Sequence, residues 1–127
     1  MSVLTSTLAV GIGAALGAVA RWVLGLWLHN SASTLPWGTL AANLVGAYLI
    51  GVVLGCFLQF PDTPAWLRLF VTTGFLGGLT TFSTFSAETI SLLERGHYAA
   101  ALGYTSVSIL GALALTAVGL WTVQILR

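Results

Sequence analysis

"GFLGGLTTFSTFS" occupies Gly74–Ser86, inside a chain whose other long segments read as hydrocarbon. Three glycines loosen the backbone, and hydroxyl side chains then alternate with Phe82 and Phe85. A lipid-embedded helix gains nothing from weak helix formers followed by unshielded donors, because unpaired polar groups are costly in hydrocarbon. The stretch therefore reads as a deliberate interruption.

The surroundings place it in a membrane. Of 127 residues, 57% are apolar and only 6% are charged, whereas a soluble domain carries about a quarter charged residues. Four apolar stretches, at approximately 4–28, 38–60, 68–94 and 100–126, can each cross a bilayer core roughly 30 Å thick, a task for about 20 helical residues. The expected fold is an all-α membrane protein with one domain, 1–127, of four transmembrane helices per subunit, the third helix broken. "MSVLTSTLAVGIGAALGAVARWVLGLWL" lacks the basic start of a signal peptide and reads as a retained first crossing. Cys56, the only cysteine, cannot form an intrachain disulfide and reads as packing.

The connections are "HNSASTLPW" (29–37), "PDTPAW" (61–66) and "RGHY" (95–98). Pro36, Pro61 and Pro64 fall in or beside them, where a missing N–H does least harm. Such short links make sequence neighbours antiparallel. The third span is too long for one straight crossing, which fits an interruption at Gly74–Thr81.

Membrane orientation normally follows a Lys/Arg excess on one side. Here Arg68 and Arg127 face Arg21 and Arg95, two against two. Two expectations stay open: one orientation fixed by other means, or dual topology, with copies inserted both ways and paired antiparallel. Four helices leave little room for a pore, so assembly of copies is favoured. Gly13, Gly17 and Gly25, with Arg21 between them, recur at four-residue stride, as do Gly51 and Gly55; Gly103, Gly111 and Gly119 recur at eight. Such stripes let helices approach closely, within a subunit or between subunits.

A polar group within a span needs a partner or a purpose. Asn43 serves as interhelical glue or presents an amide N–H to a passing anion. Arg21 snorkels to the interface or forms an electropositive mouth. Tyr104 and Ser108 share a helix face at i, i+4, and Ala112 continues it without a polar group. Glu88, the only carboxylate inside a span, is left without a role. Glu94, His29, His97 and Asp62 read as solvated surface.

In the opening stretch, Phe82 and Phe85 share one face, Ser83 and Ser86 the neighbouring one, and Thr81 and Thr84 another. A ring edge is weakly attractive to an anion, and hydroxyl and amide hydrogens donate to one directly. A half-helix starting near Thr80–Thr81 would bring free N–H groups and a positive dipole end to membrane depth. The carbonyls freed by the same break need donors, water or a cation, as in the discontinuous helices of transporters.

These residues resemble the Fluc (CrcB) fluoride channel family. The likeness covers the whole chain: "GxxxGAxxRW" at Gly13–Trp22, "WGTLAANLVGAYLIG" in the second span, FSTFS in the third, and Tyr104 with Ser108 in the fourth. It implies an antiparallel, dual-topology homodimer in the cell (inner) membrane, passing fluoride passively outward along two pathways. It also implies a structural Na⁺, not transported, held at the dimer centre by the backbone carbonyls of Gly77 and Thr80. Asn43, Phe82, Phe85, Ser83, Thr84, Tyr104 and Ser108 would line the fluoride pathway, with Arg21 in the vestibule. Ala112 departs from the serine expected one turn after Ser108.

Two other classes fit less well. A small four-helix dual-topology exporter of another substrate would need a carboxylate in its first span, and no Asp or Glu lies between Met1 and Phe60. An assembly factor has no use for Asn43, a broken helix and a hydroxyl–phenylalanine track together. No acid–base pair or activated nucleophile marks an enzyme, and nothing in the chain points to nucleic acid.

Overall fold

The computed structural model describes residues 2–127, and every regular element among them is helical. Helix α1 (Val3–Trp27) starts where the Ser2 hydroxyl accepts from the Thr5 amide at 3.1 Å, a side-chain cap for an otherwise orphaned donor. Helix α2 (Trp37–Gln59) begins after Pro36, and α3 (Ala65–Leu69) after Pro64. Helix α3 runs into a π-helical segment, Phe70–Leu76, and then into α4 (Gly77–Leu79). Helix α5 (Ser83–Glu94) and helix α6 (Tyr98–Leu126) complete the chain. Helices α1, α2 and α6 are each long and apolar enough to cross a membrane.

Helices α1, α2 and α6 begin and end within a few residues of 4–28, 38–60 and 100–126, because prolines and a turn glycine punctuate the apolar runs, while residues 68–94 are divided among shorter elements. Gly96 sits at φ 80°, the left-handed conformation glycine adopts most readily. There Gly96 N–H donates to the Leu93 carbonyl at 3.0 Å and His97 N–H to the Leu92 carbonyl at 2.9 Å, which ends α5 and reverses the chain. At the second connection Arg68 donates to the carbonyls of Thr63 (3.2 Å) and Pro61 (2.9 Å) and lies 4.5 Å from the centre of the Phe57 ring. One of the four cations weighed for orientation is thus also a loop clamp.

Packing runs in two pairs: α1 lies along the π segment and α4, and α2 lies along α6. Glycines set both approaches. A methyl group at Gly17 would run into the Phe75 carbonyl, and one at Gly74 would come within 2.9 Å of the Val10 carbonyl. Gly51 and Gly119 abut the Thr116 and Tyr48 carbonyls reciprocally. These faces pack within one chain, which resolves for them the choice the spacing left open. Gly11 and Gly103 face open space instead.

Candidate functional site: a peptide clamp, a row of rings and a cavity

The site is built where helical hydrogen bonding stops. Leu79 ends α4, Thr80 is extended (φ −90°, ψ 152°), and α5 starts at Ser83 rather than at Thr80–Thr81. The later start has a cause. Asn43, from α2, holds the Thr81 peptide in both directions: its Nδ2 donates to the Thr81 carbonyl at 3.0 Å and its Oδ1 accepts from the Thr81 N–H at 2.7 Å. Thr81 then caps the next helix, its hydroxyl accepting from the Thr84 amide at 3.2 Å. A primary amide has two N–H donors, so Asn43 keeps one beyond its bond to Thr81.

Arg21 donates its Nε to the Gly78 carbonyl at 3.1 Å and is half-buried. It meets the C-terminal end of α4, where carbonyls lack intrahelical partners. The Gly77 and Thr80 carbonyls, among the described residues, receive no hydrogen bond from backbone or side chain outside regular helix bonding.

Three rings form a row. Phe82 and Phe85 lie 5.7 Å apart at 56°, and Phe85 and Tyr104 lie 5.2 Å apart at 51°; these tilted pairs suit the ring quadrupoles. Phe85 and Tyr104 are buried, whereas Phe82 is 77% exposed in the single chain. The two phenylalanines that share a face by spacing therefore meet different surroundings, because α6 covers only the second. Ser83 is exposed, with its hydroxyl 3.4 Å from that of Thr81, and Thr84 is half-buried.

Glu88 gains partners that its sequence position does not reveal. The Tyr104 hydroxyl donates to its Oε1 at 3.0 Å and the Thr39 hydroxyl to its Oε2 at 3.1 Å. Glu88 lies one turn beyond Phe85, but its donors come from α6 and α2, 16 and 49 residues away in sequence. Thr39 carried no signal at all, as one hydroxyl among many at a helix start.

Beside this row lies a cavity of about 500 Å³, lined among others by Asn43, Thr80, Phe82, Phe85, Ser108 and Ala112. Ser108 is 7% exposed, and its Oγ is the one buried side-chain polar atom among the described residues without a hydrogen-bond partner. Tyr104 and Ser108 are both buried on α6, as their spacing requires, and Ala112 lines the cavity one turn on. Arg21 does not line it; its Nε is held at Gly78. The cavity wall is largely apolar; of its hydroxyls, those of Thr72, Thr80 and Thr116 donate to the carbonyls of Arg68, Leu76 and Ala47, and the Ser108 hydroxyl and the second Asn43 N–H remain free. The described residues do not gather three His, Cys, Asp or Glu side chains for a transition-metal site.

Known proteins match along nearly the whole chain. The family model for CrcB-like protein, Camphor Resistance (CrcB), matches residues 8–120. A relative from Bordetella petrii, called fluoride-specific ion channel FluC, is 63% identical over 120 residues, covering 94% of this chain and 92% of its own. Proteins of that name from Bordetella bronchiseptica and Chromohalobacter salexigens are 60% and 54% identical, covering 94% and 96% of this chain and 91% and 92% of their own. With apolar helices long enough to span a bilayer and a family match over most of its length, the chain is a multi-pass membrane protein of the CrcB-like family.

Proposed function

We propose that the protein is a fluoride-selective channel that lowers intracellular fluoride by passive export, working as an antiparallel, dual-topology homodimer in the cell (inner) membrane. The observation that carries this reading is a largely apolar cavity beside the rings in which the buried Ser108 hydroxyl has no acceptor and Asn43 keeps a spare N–H. Fluoride is small and strongly hydrated, so a selective path must replace its water with closely spaced hydrogens. Asn43, Ser83, Thr84 and Ser108 supply such hydrogens in this reading, Tyr104 stands beside Phe85 with its own hydrogen given to Glu88, and the edges of Phe82 and Phe85 supply the weak positive charge along the path. The names of the relatives support the substrate.

In the same reading the pieces from Ala65 to Glu94 form the third crossing, broken at 80–82. The exposed Phe82 ring and the cavity face a second copy, and the balanced arginines permit both insertions. The Gly77 and Thr80 carbonyls, left without donors, suit a hard cation such as Na⁺, and two copies would offer four of them. Such an ion would hold the two breaks together; the chain's own contribution is the Arg21 and Asn43 bonds that orient the flanking peptides.

An exporter of another substrate is less well supported. It needs a carboxylate in its first span, where the chain has none, and Glu88 in α5 already accepts two hydroxyl hydrogens.

The test is efflux from liposomes holding purified protein, with valinomycin and K⁺ carrying the counter-current. Fluoride should leave far faster than chloride. Equal leak of both halides, or none of either, would overturn the reading.

A further inference from the structure

A second cavity, of about 320 Å³, lies between the C-terminal end of α1, the α1–α2 connection and α5. Its lining includes Thr39 and Glu88, which join it to the Tyr104 and Phe85 rings, and also Ser91, His29 and Arg95. Arg95 is exposed, and among the described residues its guanidinium donates only to the Ser91 carbonyl, at 3.3 Å. An anion travelling between the rings and water at this end passes the Glu88 carboxylate, whose charge repels it. Arg95 stands seven residues further along the same helical direction, roughly 10 Å away at 1.5 Å per residue. That separation exceeds the screening length of about 8 Å at physiological salt, so the guanidinium offsets the carboxylate weakly there and more strongly at low ionic strength.

We propose that this cavity is an aqueous antechamber for small hydrated anions, and that Arg95 on its wall holds them within reach of the Thr39–Glu88–Tyr104 cluster. The inference rests on the channel reading above and adds to it a mouth and a charge-collecting residue. The competing role for Arg95 is purely structural: a cation at the C-terminal end of α5 complements the helix dipole. The two roles differ in what they change. A lost partner for the helix dipole lowers the melting temperature, whereas lost attraction of an ion in water slows efflux alone and only at low salt.

The experiment compares fluoride efflux of wild type, Arg95→Gln, Arg95→Lys and Arg95→Glu at low ionic strength and near 1 M, where the screening length falls to about 3 Å. At low ionic strength Arg95→Gln should slow efflux about two- to fourfold, as expected for one unit charge at this range in a largely aqueous medium. Arg95→Glu should slow it further and Arg95→Lys should match wild type; near 1 M the differences should vanish. Variants equal to wild type at low ionic strength, equally impaired at both, or slowed in step with a lowered melting temperature, would overturn the proposal. Wild type without fluoride-selective efflux would overturn the channel reading as well, so the two failures are distinguishable. If a charge change impairs folding, Arg95→Cys in a Cys56→Ser background can be modified after folding. A thiol reagent bearing an ammonium should then restore efflux and one bearing a sulfonate should depress it, and indifference to both would count against Arg95.

Discussion

The Asn43 side chain replaces, for the Thr81 peptide, the helix that Thr81 has left: the carboxamide meets both the N–H and the carbonyl, at 2.7 and 3.0 Å. Glue and anion donor, weighed as alternatives for Asn43, are compatible roles, since the clamp consumes one amide hydrogen and leaves the other. Asn43→Ala exposes two half-buried backbone groups and should cost about 1–3 kcal/mol, read as an earlier thermal transition in detergent. Asn43→Asp keeps the acceptor but sets a carboxylate against the Thr81 carbonyl and the anion path, so it should also abolish fluoride efflux. Wild-type melting and efflux in Asn43→Asp would refute both roles.

The rings should separate stability from conduction. Phe85 is buried against Tyr104 while Phe82 is 77% exposed in the single chain. Phe85→Ile should destabilise the fold by roughly 1 kcal/mol through lost aromatic contact and reduce efflux. Phe82→Ile should leave the subunit fold intact yet reduce efflux. Unchanged flux in both variants would remove the rings from the pathway.

Helix approach is expected to be intolerant at Gly17 and permissive at Gly11. A methyl at Gly17 meets the Phe75 carbonyl, whereas one at Gly11 meets nothing within 4 Å. Gly17→Ala should cost about 1–3 kcal/mol, as overpacking generally does, and Gly11→Ala should be silent in a melting assay. Equal tolerance would mean that α1 and the π segment do not pack as described.

Glu88→Ala removes the acceptor for a tyrosine hydroxyl on a residue only 2% exposed. The stranded donor should cost about 1–3 kcal/mol. Glu88→Gln should recover much of that stability, because the amide oxygen still accepts. Matching losses in the two variants would show that the carboxylate acts through its charge.

Sodium dependence is the remaining check on the free carbonyls. Purification in a large organic cation instead of Na⁺ should lower both fluoride efflux and the melting temperature. Indifference to the exchange would leave the Gly77 and Thr80 carbonyls without an assigned partner.

Much of this architecture was legible because its signals are local. Pro36, Pro64 and Gly96 end or start helices by their own backbone chemistry, and Tyr104 with Ser108 follows from helical spacing alone. What stayed hidden depends on distant partners. Thr39 and Glu88 meet only because α2 and α5 converge, and Arg21 reaches Gly78 across 57 residues. The contrast between Phe82 and Phe85 arises from where α6 lies, which spacing within one helix cannot convey. The π segment was hidden for another reason: Phe70–Leu76 holds two adjacent threonines among apolar residues, a pattern in which no change of hydrophobic face marks a widened turn.

That widened turn makes chain length a variable in its own right. Each residue of an ordinary helix advances the direction of the next by about 100°, and a π turn accommodates surplus residues without breaking the coil. Removing a single residue from Phe70–Leu76 would let the coil tighten into an ordinary helix and leave everything downstream at its present heading, whereas removing one from the ordinary helical turn before it would swing that whole stretch aside. In the second case every side chain of the clamp and the ring row would still be present, yet aimed elsewhere.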